Sequence, residues 1–189
     1  RTPVKAARKI GIIDYGTGNL RSVVKAFEFL GAQAHILAEP SQFDKMEALV
    51  FPGQGTFDQC IRALQKTALD EAIINWIEKD KPYFGICLGL QVLFEGSEEG
   101  QLPGLALFSG HVKRFSLPEG LKIPHMGWNA VDWELLPEDP MQRDLVNGDQ
   151  FYFVHSYHIT NEDEKLTVMK TNYGYPFTSG ISYDNCFAT

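Results

Sequence analysis

The chain has 189 residues, of which 44% are hydrophobic and 12% aromatic, and its formal net charge is −7. This length suits one domain spanning residues 1–189, and the apolar content is ample for a sizeable core. The acidic balance gives no electrostatic footprint for nucleic acid or an anionic membrane surface, so neither is expected as a partner. No apolar run approaches the roughly 20 residues that span a bilayer, so a soluble protein is expected. The cysteines lack Cys-x-x-Cys spacing, which disfavours a disulfide framework or zinc cluster and favours a reducing, cytoplasmic compartment.

Strand and helix patterns alternate through the first half of the chain. A β-branched run at residues 9–15 precedes apolar residues at helical spacing over 20–30, which stop at Gly31. Strands are predicted at 34–37, 48–51 and 83–86. A short helix capped by Ser41 follows the first of these, and an apolar helical stripe over 69–77 precedes the last. This alternation predicts an α/β fold whose mostly parallel sheet is flanked by helices.

After Gly100 the pattern changes to alternation with a period of two residues. Strands are predicted at 107–115, 130–134, 151–160, 166–171 and 181–183, with turns at 118–120 and 184–185. We therefore expect an antiparallel section appended to the parallel core.

The predicted strand at 83–86 runs directly into the pattern Gly85-x-Cys87-x-Gly89. This order is typical of a nucleophile elbow, in which the chain reverses sharply at an exposed nucleophile and a helix begins. The flanking glycines are needed because neighbouring backbone approaches closely. A helix predicted over residues 88–96 would favour a Cys87 thiolate through its dipole. Cys87 is therefore the predicted nucleophile, although most free cysteines are simply buried hydrophobes.

A second glycine cluster at 52–57 follows the strand at 48–51 and should reach the same edge of the sheet. Acyl transfer needs N–H donors for the oxyanion of the tetrahedral intermediate. The elbow supplies the N–H of Leu88, and a glycine-rich loop can present a second one. Without Cys87 an ordinary Pro-Gly turn would be an equally good interpretation.

Two other patterns invite a cofactor or a metal, and neither is convincing. Gly16 and Gly18 open the first helix, but Arg21 stands where dinucleotide-binding loops need a third glycine. His155 and His158 lie three residues apart in one predicted strand, so they should point to opposite faces and could not easily share an ion.

Five segments, at residues 11–23, 52–57, 85–91, 124–129 and 153–157, together resemble class I glutamine amidotransferases. Within that family they resemble the glutaminase subunits of imidazole glycerol phosphate synthase, which serve histidine biosynthesis. The elbow alone indicates only the superfamily. The segments Asp-Tyr-Gly-x-Gly-Asn-Leu at 14–20 and Pro-His-Met-Gly-Trp-Asn at 124–129 are more specific. The resemblance covers the chain from Lys9 to its end and implies a flavodoxin-like amidotransferase fold.

The resemblance also implies a reaction. Cys87 would attack the side-chain amide of glutamine, ammonia would leave, and water would hydrolyse the thioester to glutamate. No cofactor or metal is implied. The residues that match the glutamine site and its oxyanion loop are Gly53, Gln54, Leu88, Gln91, Glu95, Ser156 and Tyr157.

A partner is implied as well, namely a cyclase subunit built as a (β/α)₈ barrel that receives the ammonia and forms a heterodimer with this chain. There the ammonia completes an imidazole ring on a phosphoribosyl substrate. The residues that match the contact region are Asn19, Pro124, His125, Met126, Gly127, Trp128 and Asn129.

One departure from the family concerns the general base. The family carries a late His-Pro-Glu motif after a segment like 185–189, and this sequence stops just before it. Neither His155 nor His158 occupies a matching position. Loss of a triad histidine typically costs on the order of 10⁶ in turnover, so the 189 residues alone are expected to be nearly inert. A catalytically silent module docking on a barrel partner, or a different cysteine hydrolase on a similar sheet, therefore remain alternatives.

Overall fold

The computed structural model describes residues 6–16, 18–134 and 144–189; Thr17, within the segment at 14–21, lies outside the described residues. The described strands all belong to one mixed sheet. The helices and strands, in chain order, are β1 (Lys9–Ile13), α1 (Leu20–Phe29), β2 (Gln33–Leu37), a 3₁₀ helix (Pro40–Lys45), β3 (Ala48–Gly53), α2 (Phe57–Lys66), α3 (Leu69–Glu78), β4 (Tyr83–Cys87), α4 (Leu88–Gln91), β5 (Gly96–Ser97), β6 (Gly110–Arg114), β7 (His125–Trp133), β8 (Asp149–His155), β9 (Tyr157–Asn161), a second 3₁₀ helix (Glu164–Leu166), β10 (Thr167–Asn172), β11 (Pro176–Tyr183) and β12 (Cys186–Ala188).

The parallel half of the sheet has the strand order β2-β1-β3-β4-β12, and each neighbouring pair is parallel. Apolar side chains that repeat at helical spacing on α2 and α3 are buried in the main core together with Leu49 and Phe51 of β3. Burial of such a stripe is what holds a surface helix on a sheet. The parallel core expected from the alternating pattern is confirmed.

The antiparallel half continues from β12 through β11, β10, β7 and β8. A branch of this half runs antiparallel from β11 through β9 to β6, and the two-residue strand β5 then pairs with β6 in parallel. The appended antiparallel section is therefore confirmed. The sequence patterns missed β12, because its 3 residues are too short for a periodic signal.

Three local predictions were wrong. The helix after Cys87 ends at Gln91 rather than near Gly96, and the carbonyls of Val92 and Phe94 accept the N–H groups of an incoming loop. Ser41 does not cap the first 3₁₀ helix. The Gln42 side chain instead accepts the N–H groups of Ala38 and Glu39, which precede that helix.

The third wrong prediction concerns the strand at 151–160. It is two strands, because the chain leaves β7 and joins β6 at Ser156.

In the described ranges, none of the helices combines the length and the apolar character that crossing a bilayer requires.

Candidate active site

Cys87 stands at a sharp reversal between β4 and α4. Its backbone has φ 56° and ψ −108°, a conformation that costs free energy for any residue with a Cβ. The flanking glycines are sterically required, since a Cβ on Gly85 would clash with the carbonyl of Gly89, and one on Gly89 with the carbonyl of Phe51. The strand, the cysteine at the reversal and the helix of the predicted elbow are therefore present.

The Cys87 thiol is open to solvent on one side, yet enough protein surrounds it that desolvation raises its pKa. A hydrogen bond from the N–H of Leu88 lowers the pKa, and the charge of Glu99 raises it. The net direction is upward. The expected thiolate is not formed by the helix alone, because α4 is only 4 residues long and offers little dipole.

A cavity of about 1150 Å³ opens beside Cys87. A volume of this size takes a small polar ligand with room to spare. The walls bring together residues from separate parts of the sequence, and those predicted for the site that line it are Gly53, Gln54, Leu88, Gln91, Ser156 and Tyr157.

Glu95 is not among the cavity residues. Because α4 ends at Gln91, Glu95 does not follow it on one helical face, and its Oε2 instead accepts the N–H of Gly110 at 2.9 Å. Glu99 lines the cavity in its place. The carboxylate of Glu99 is held by the N–H of Phe57, which reaches its Oε1 at 2.5 Å. The sequence offered no signal for Glu99, since its position depends on the loop path after α4.

The predicted oxyanion loop is tied to Tyr15 in this conformation. The N–H of Gln54 donates to the Tyr15 hydroxyl at 2.7 Å, and that hydroxyl donates to the Gln54 carbonyl at 2.5 Å. Gly53 is packed so tightly that a Cβ there would overlap the Leu88 side chain. The loop therefore adjoins the elbow as predicted, while the Gln54 N–H is already engaged.

The chain at Thr189 lies against Cys87. The N–H of Cys87 donates to the Thr189 carbonyl at 2.8 Å, and the N–H of Thr189 donates to the Gly85 carbonyl at 2.9 Å. Thr189 also lines the cavity. Within residues 6–16, 18–134 and 144–189, none of the histidines is hydrogen-bonded to Cys87 or shifts its pKa.

The predicted partner segment forms β7 and its approach. Met126 and Trp128 are 60% and 70% exposed, and they pair across the ladder with the exposed Val154 and Tyr152 of β8. We call these four side chains the β7–β8 face. Pro124 is exposed as well.

The other predicted contact residues differ in exposure. His125 is 3% exposed, so it lies beneath the β7–β8 face rather than in it. Gly127 and Asn129 are half-buried. Asn19 is exposed at the cavity rim, where its side chain accepts the N–H of Arg21 and caps α1.

The expectation that His155 and His158 face opposite sides is wrong. Both rings pack against Phe115, with ring centroids 5.0 and 4.8 Å away. The strand break at Ser156 resets the alternation that the argument relied on.

The family model for glutamine amidotransferase class-I matches residues 11–182. The chain belongs to the class I glutamine amidotransferases. Solved amidotransferase structures share the fold at low identity. A crystal structure of a glutamine amidotransferase superimposes with a TM-score of 0.73 at 16% identity, covering 95% of this chain and 87% of that one. The structure of PurLQS from Thermotoga maritima superimposes with a TM-score of 0.73 at 18% identity, covering 96% of this chain and 85% of that one.

Relatives of higher identity bear one name. The imidazole glycerol phosphate synthase subunit HisH of Caldanaerobacter subterraneus subsp. tengcongensis is 45% identical over 180 residues, covering 95% of this amidotransferase and 87% of the relative. The subunit of the same name from Dechloromonas aromatica is 44% identical over 192 residues, covering 97% and 87%.

Proposed function

We propose that this amidotransferase is the glutaminase subunit of an imidazole glycerol phosphate synthase, hydrolysing glutamine to glutamate and ammonia. Cys87 carries the proposal, because it is a strained, accessible nucleophile at the wall of a cavity large enough for an amino acid. The relatives named HisH support the assignment to this subunit. Residues 1–189 would form a single amidotransferase domain.

The proposed chemistry proceeds by two acyl transfers. The Cys87 sulfur attacks the side-chain carbonyl carbon of glutamine, and the Leu88 N–H would stabilise the oxyanion. The C–N bond breaks and ammonia leaves with a proton. Water then attacks the thioester, which releases glutamate and restores the thiol.

The polar groups of the cavity suit the two charges of an amino acid. Glu99 is a carboxylate fixed by a backbone N–H, and it can pair with the substrate ammonium. Gln91, Ser156 and Tyr157 offer further polar contacts around the same cavity. Gly53 lies against Leu88 at the elbow, where a Cβ would overlap the Leu88 side chain.

Turnover requires a base, because the surroundings of Cys87 raise its pKa. The family's His-Pro-Glu motif is not part of the printed sequence. Thr189 lies beside Cys87, so a His-Pro-Glu segment attached after Thr189 could reach the thiol. Assays should therefore compare residues 1–189 with a chain extended past Thr189 by a His-Pro-Glu segment.

The partner we propose is a cyclase subunit with a (β/α)₈ barrel, which docks on the β7–β8 face. Large exposed apolar side chains grouped on one ladder are typical of a protein interface. Phe151 and Val154 of β8 also line the cavity, so ammonia released at Cys87 has a short way to this face. A cytoplasmic location is proposed from the cysteines, since Cys60, Cys87 and Cys186 are all free.

The experiment that tests glutamine recognition does not depend on turnover. Iodoacetamide labelling of Cys87, followed by peptide mass spectrometry, is compared with and without glutamine. Glutamine should slow labelling, whereas acetamide should not, and Cys87→Ala should lose the label while Cys60→Ala keeps it. Equal labelling with and without glutamine would refute the proposal.

A second assay separates the enzyme from a silent module. Glutamate release is measured for the extended chain with a cyclase subunit present. Release that disappears in Cys87→Ala establishes the glutaminase. Protection by glutamine without any release would assign the silent role instead.

A further inference from the structure

A row of hydrogen-bonded side chains lies beneath the β7–β8 face. The Asn129 amide nitrogen is 3.1 Å from His125 Nε2, His125 Nδ1 is 2.9 Å from His155 Nε2, and His155 Nδ1 is 2.8 Å from the Tyr157 carbonyl. We call Asn129, His125 and His155 the imidazole chain. It begins on β7 and ends at the wall of the cavity that holds Cys87.

The direction of every proton in this chain follows from Asn129. Its Oδ1 accepts the N–H of Ala130 at 2.8 Å, and its amide nitrogen donates to the Asn172 carbonyl at 2.8 Å. The second amide hydrogen therefore points at His125 Nε2, which must be unprotonated. His125 then carries its proton on Nδ1 and donates to His155 Nε2. His155 in turn carries its proton on Nδ1 and donates to the Tyr157 carbonyl.

Both rings are held neutral by their surroundings. His125 is stacked between Tyr173 and Phe153, at centroid distances of 4.0 and 4.8 Å. Desolvation lowers the pKa of His125 and lowers that of His155 to about 4. The hydrogen bond to the Tyr157 carbonyl raises the His155 pKa, and the charges of His125 and His158 lower it further.

The Tyr173 ring stacks on His125, and the other titratable groups nearby contact or influence His158, namely Tyr175, Glu98 and Lys113. Each nitrogen of the two rings has one partner, so an added proton would set two N–H groups against each other.

The end of the imidazole chain fixes the strand break that forms the cavity wall. β8 ends at His155 and β9 begins at Tyr157, so the bend at Ser156 lacks a continuous ladder. The His155 ring bridges the bend by bonding to the Tyr157 carbonyl, while the N–H of Phe115 holds the Ser156 carbonyl at 3.1 Å. Ser156 and Tyr157 both line the cavity.

We propose that His125 and His155 are positioning residues for glutamine binding: with their proton order set by Asn129, they hold the Ser156–Tyr157 wall in its binding conformation. This inference rests on the proposed function. His155 lies in the cavity wall and His125 lies behind it, and the role we assign to both rings acts through the Tyr157 carbonyl. The β7–β8 face lies on the same ladder. The Ser156–Tyr157 wall is therefore connected to the strand on which we propose that the partner docks.

The test is Asn129→Asp, which keeps the size of the side chain but replaces its donor with acceptors. Near pH 6 the carboxylate can pair with a His125 cation, whose Nδ1–H still donates to His155. As the pH rises, the His125 cation loses the proton on Nδ1 and keeps the one on Nε2, which donates to the Asp carboxylate. His125 then has no hydrogen to donate to His155 Nε2, and that hydrogen bond is lost. The glutamine concentration for half-protection of Cys87 from iodoacetamide should therefore rise about tenfold between pH 6 and pH 9, as expected for one lost hydrogen bond.

In the wild type the glutamine concentration for half-protection should not rise between pH 6 and pH 9 by more than it does in the control variant Gln150→Glu. Gln150 pairs with Ala130 on the same ladder, is exposed, and makes the same charge change away from the rings. A pH-independent value in Asn129→Asp equal to that of the control would overturn the inference. No protection in the wild type would refute the proposed function instead.

A second measurement serves if Asn129→Asp does not fold. ¹⁵N–¹H correlation spectra of the wild-type imidazoles should show both His125 and His155 protonated on Nδ1 and unprotonated on Nε2. A proton on Nε2 of either ring would overturn the inference, whatever the variant does.

Discussion

Replacing Gly89 by alanine tests how tightly the elbow is built against the sheet. Gly89 lies in the first turn after Cys87, and a Cβ there would meet the carbonyl oxygen and the Cβ of Phe51. Phe51 is fully buried in β3, so its backbone has no room to retreat.

Two effects of opposite sign decide the magnitude. Helix propensity and the stiffer unfolded chain favour alanine over glycine by about 1 kcal/mol. Overpacking against a buried site costs about 1–3 kcal/mol and sometimes more. Here the neighbour is main chain shared by β3 and β4, which relaxes less than a side chain, so the upper part of that range applies. We expect a net loss of about 1–3 kcal/mol in the free energy of unfolding.

The assay is urea denaturation followed by tryptophan fluorescence. With an m-value near the upper end for small proteins, about 2–3 kcal/mol/M, the midpoint should fall by about 0.3–1.5 M. Gly96→Ala is the matched control, because a Cβ there would make only ordinary contacts with the His111 ring. An unchanged or raised midpoint for Gly89→Ala would refute the steric argument, since propensity alone would then dominate.

Three further variants probe charge, pH and docking. Glu99→Gln removes a charge that raises the Cys87 pKa, so iodoacetamide should label Cys87 faster at pH 7.5; an unchanged rate would contradict this. The pKa of His155 is lowered from 6.5 to about 4 in the folded chain. Its contribution to the free energy of unfolding is therefore fully present above pH 6.5 and is lost as the pH drops towards 4, by up to about 3 kcal/mol. Urea midpoints at pH 5 and 7.5 should therefore differ less in His155→Gln than in the wild type, and equal differences would contradict the assignment. Trp128→Ala should weaken binding of a cyclase subunit by about 30-fold in titration calorimetry, as expected for an exposed aromatic anchor, whereas Phe29→Ala should not; equal effects would place the interface elsewhere.

The sequence predicted the elbow well because its signal is local. A buried strand, a cysteine between glycines and an apolar helical start lie within a few residues, and steric necessity ties them to one geometry. Strands β1 to β4 of the parallel core were equally predictable from their own patterns, whereas β12 was not, because it is too short for a periodic signal.

Glu99 shows where local reasoning ended. Placing Glu95 in the site assumed that the helix begun at Leu88 would continue, and helix length here is decided by a distant loop. The N–H groups of Leu105 and Ala106 donate to the carbonyls of Val92 and Phe94, which follow α4. No pattern near Cys87 reveals that competition.

The break at Ser156 escaped prediction for a similar reason. Residues on both sides alternate as one strand would, and only the change of partner from β7 to β6 divides them. Strand pairing depends on contacts far apart in sequence, so alternation alone cannot locate such a switch. The burial of His125 was likewise hidden, since a histidine in a strand reveals nothing about the rings that enclose it.

The short strand β12 gives the fold a definite order of assembly. It joins the two halves of the sheet, since it pairs in parallel with β4 on one side and antiparallel with β11 on the other. During synthesis β1 to β4 can pair as soon as they emerge, and the antiparallel strands can pair later, but the joint must wait for residues 186–188. Until then β4 presents an unpaired edge, and Cys87 stands on it without the Thr189 contact. The backbone at Cys87 therefore gains its hydrogen bond to Thr189 only when β12 pairs with β4, so the geometry at Cys87 depends on the joining of the two halves of the sheet.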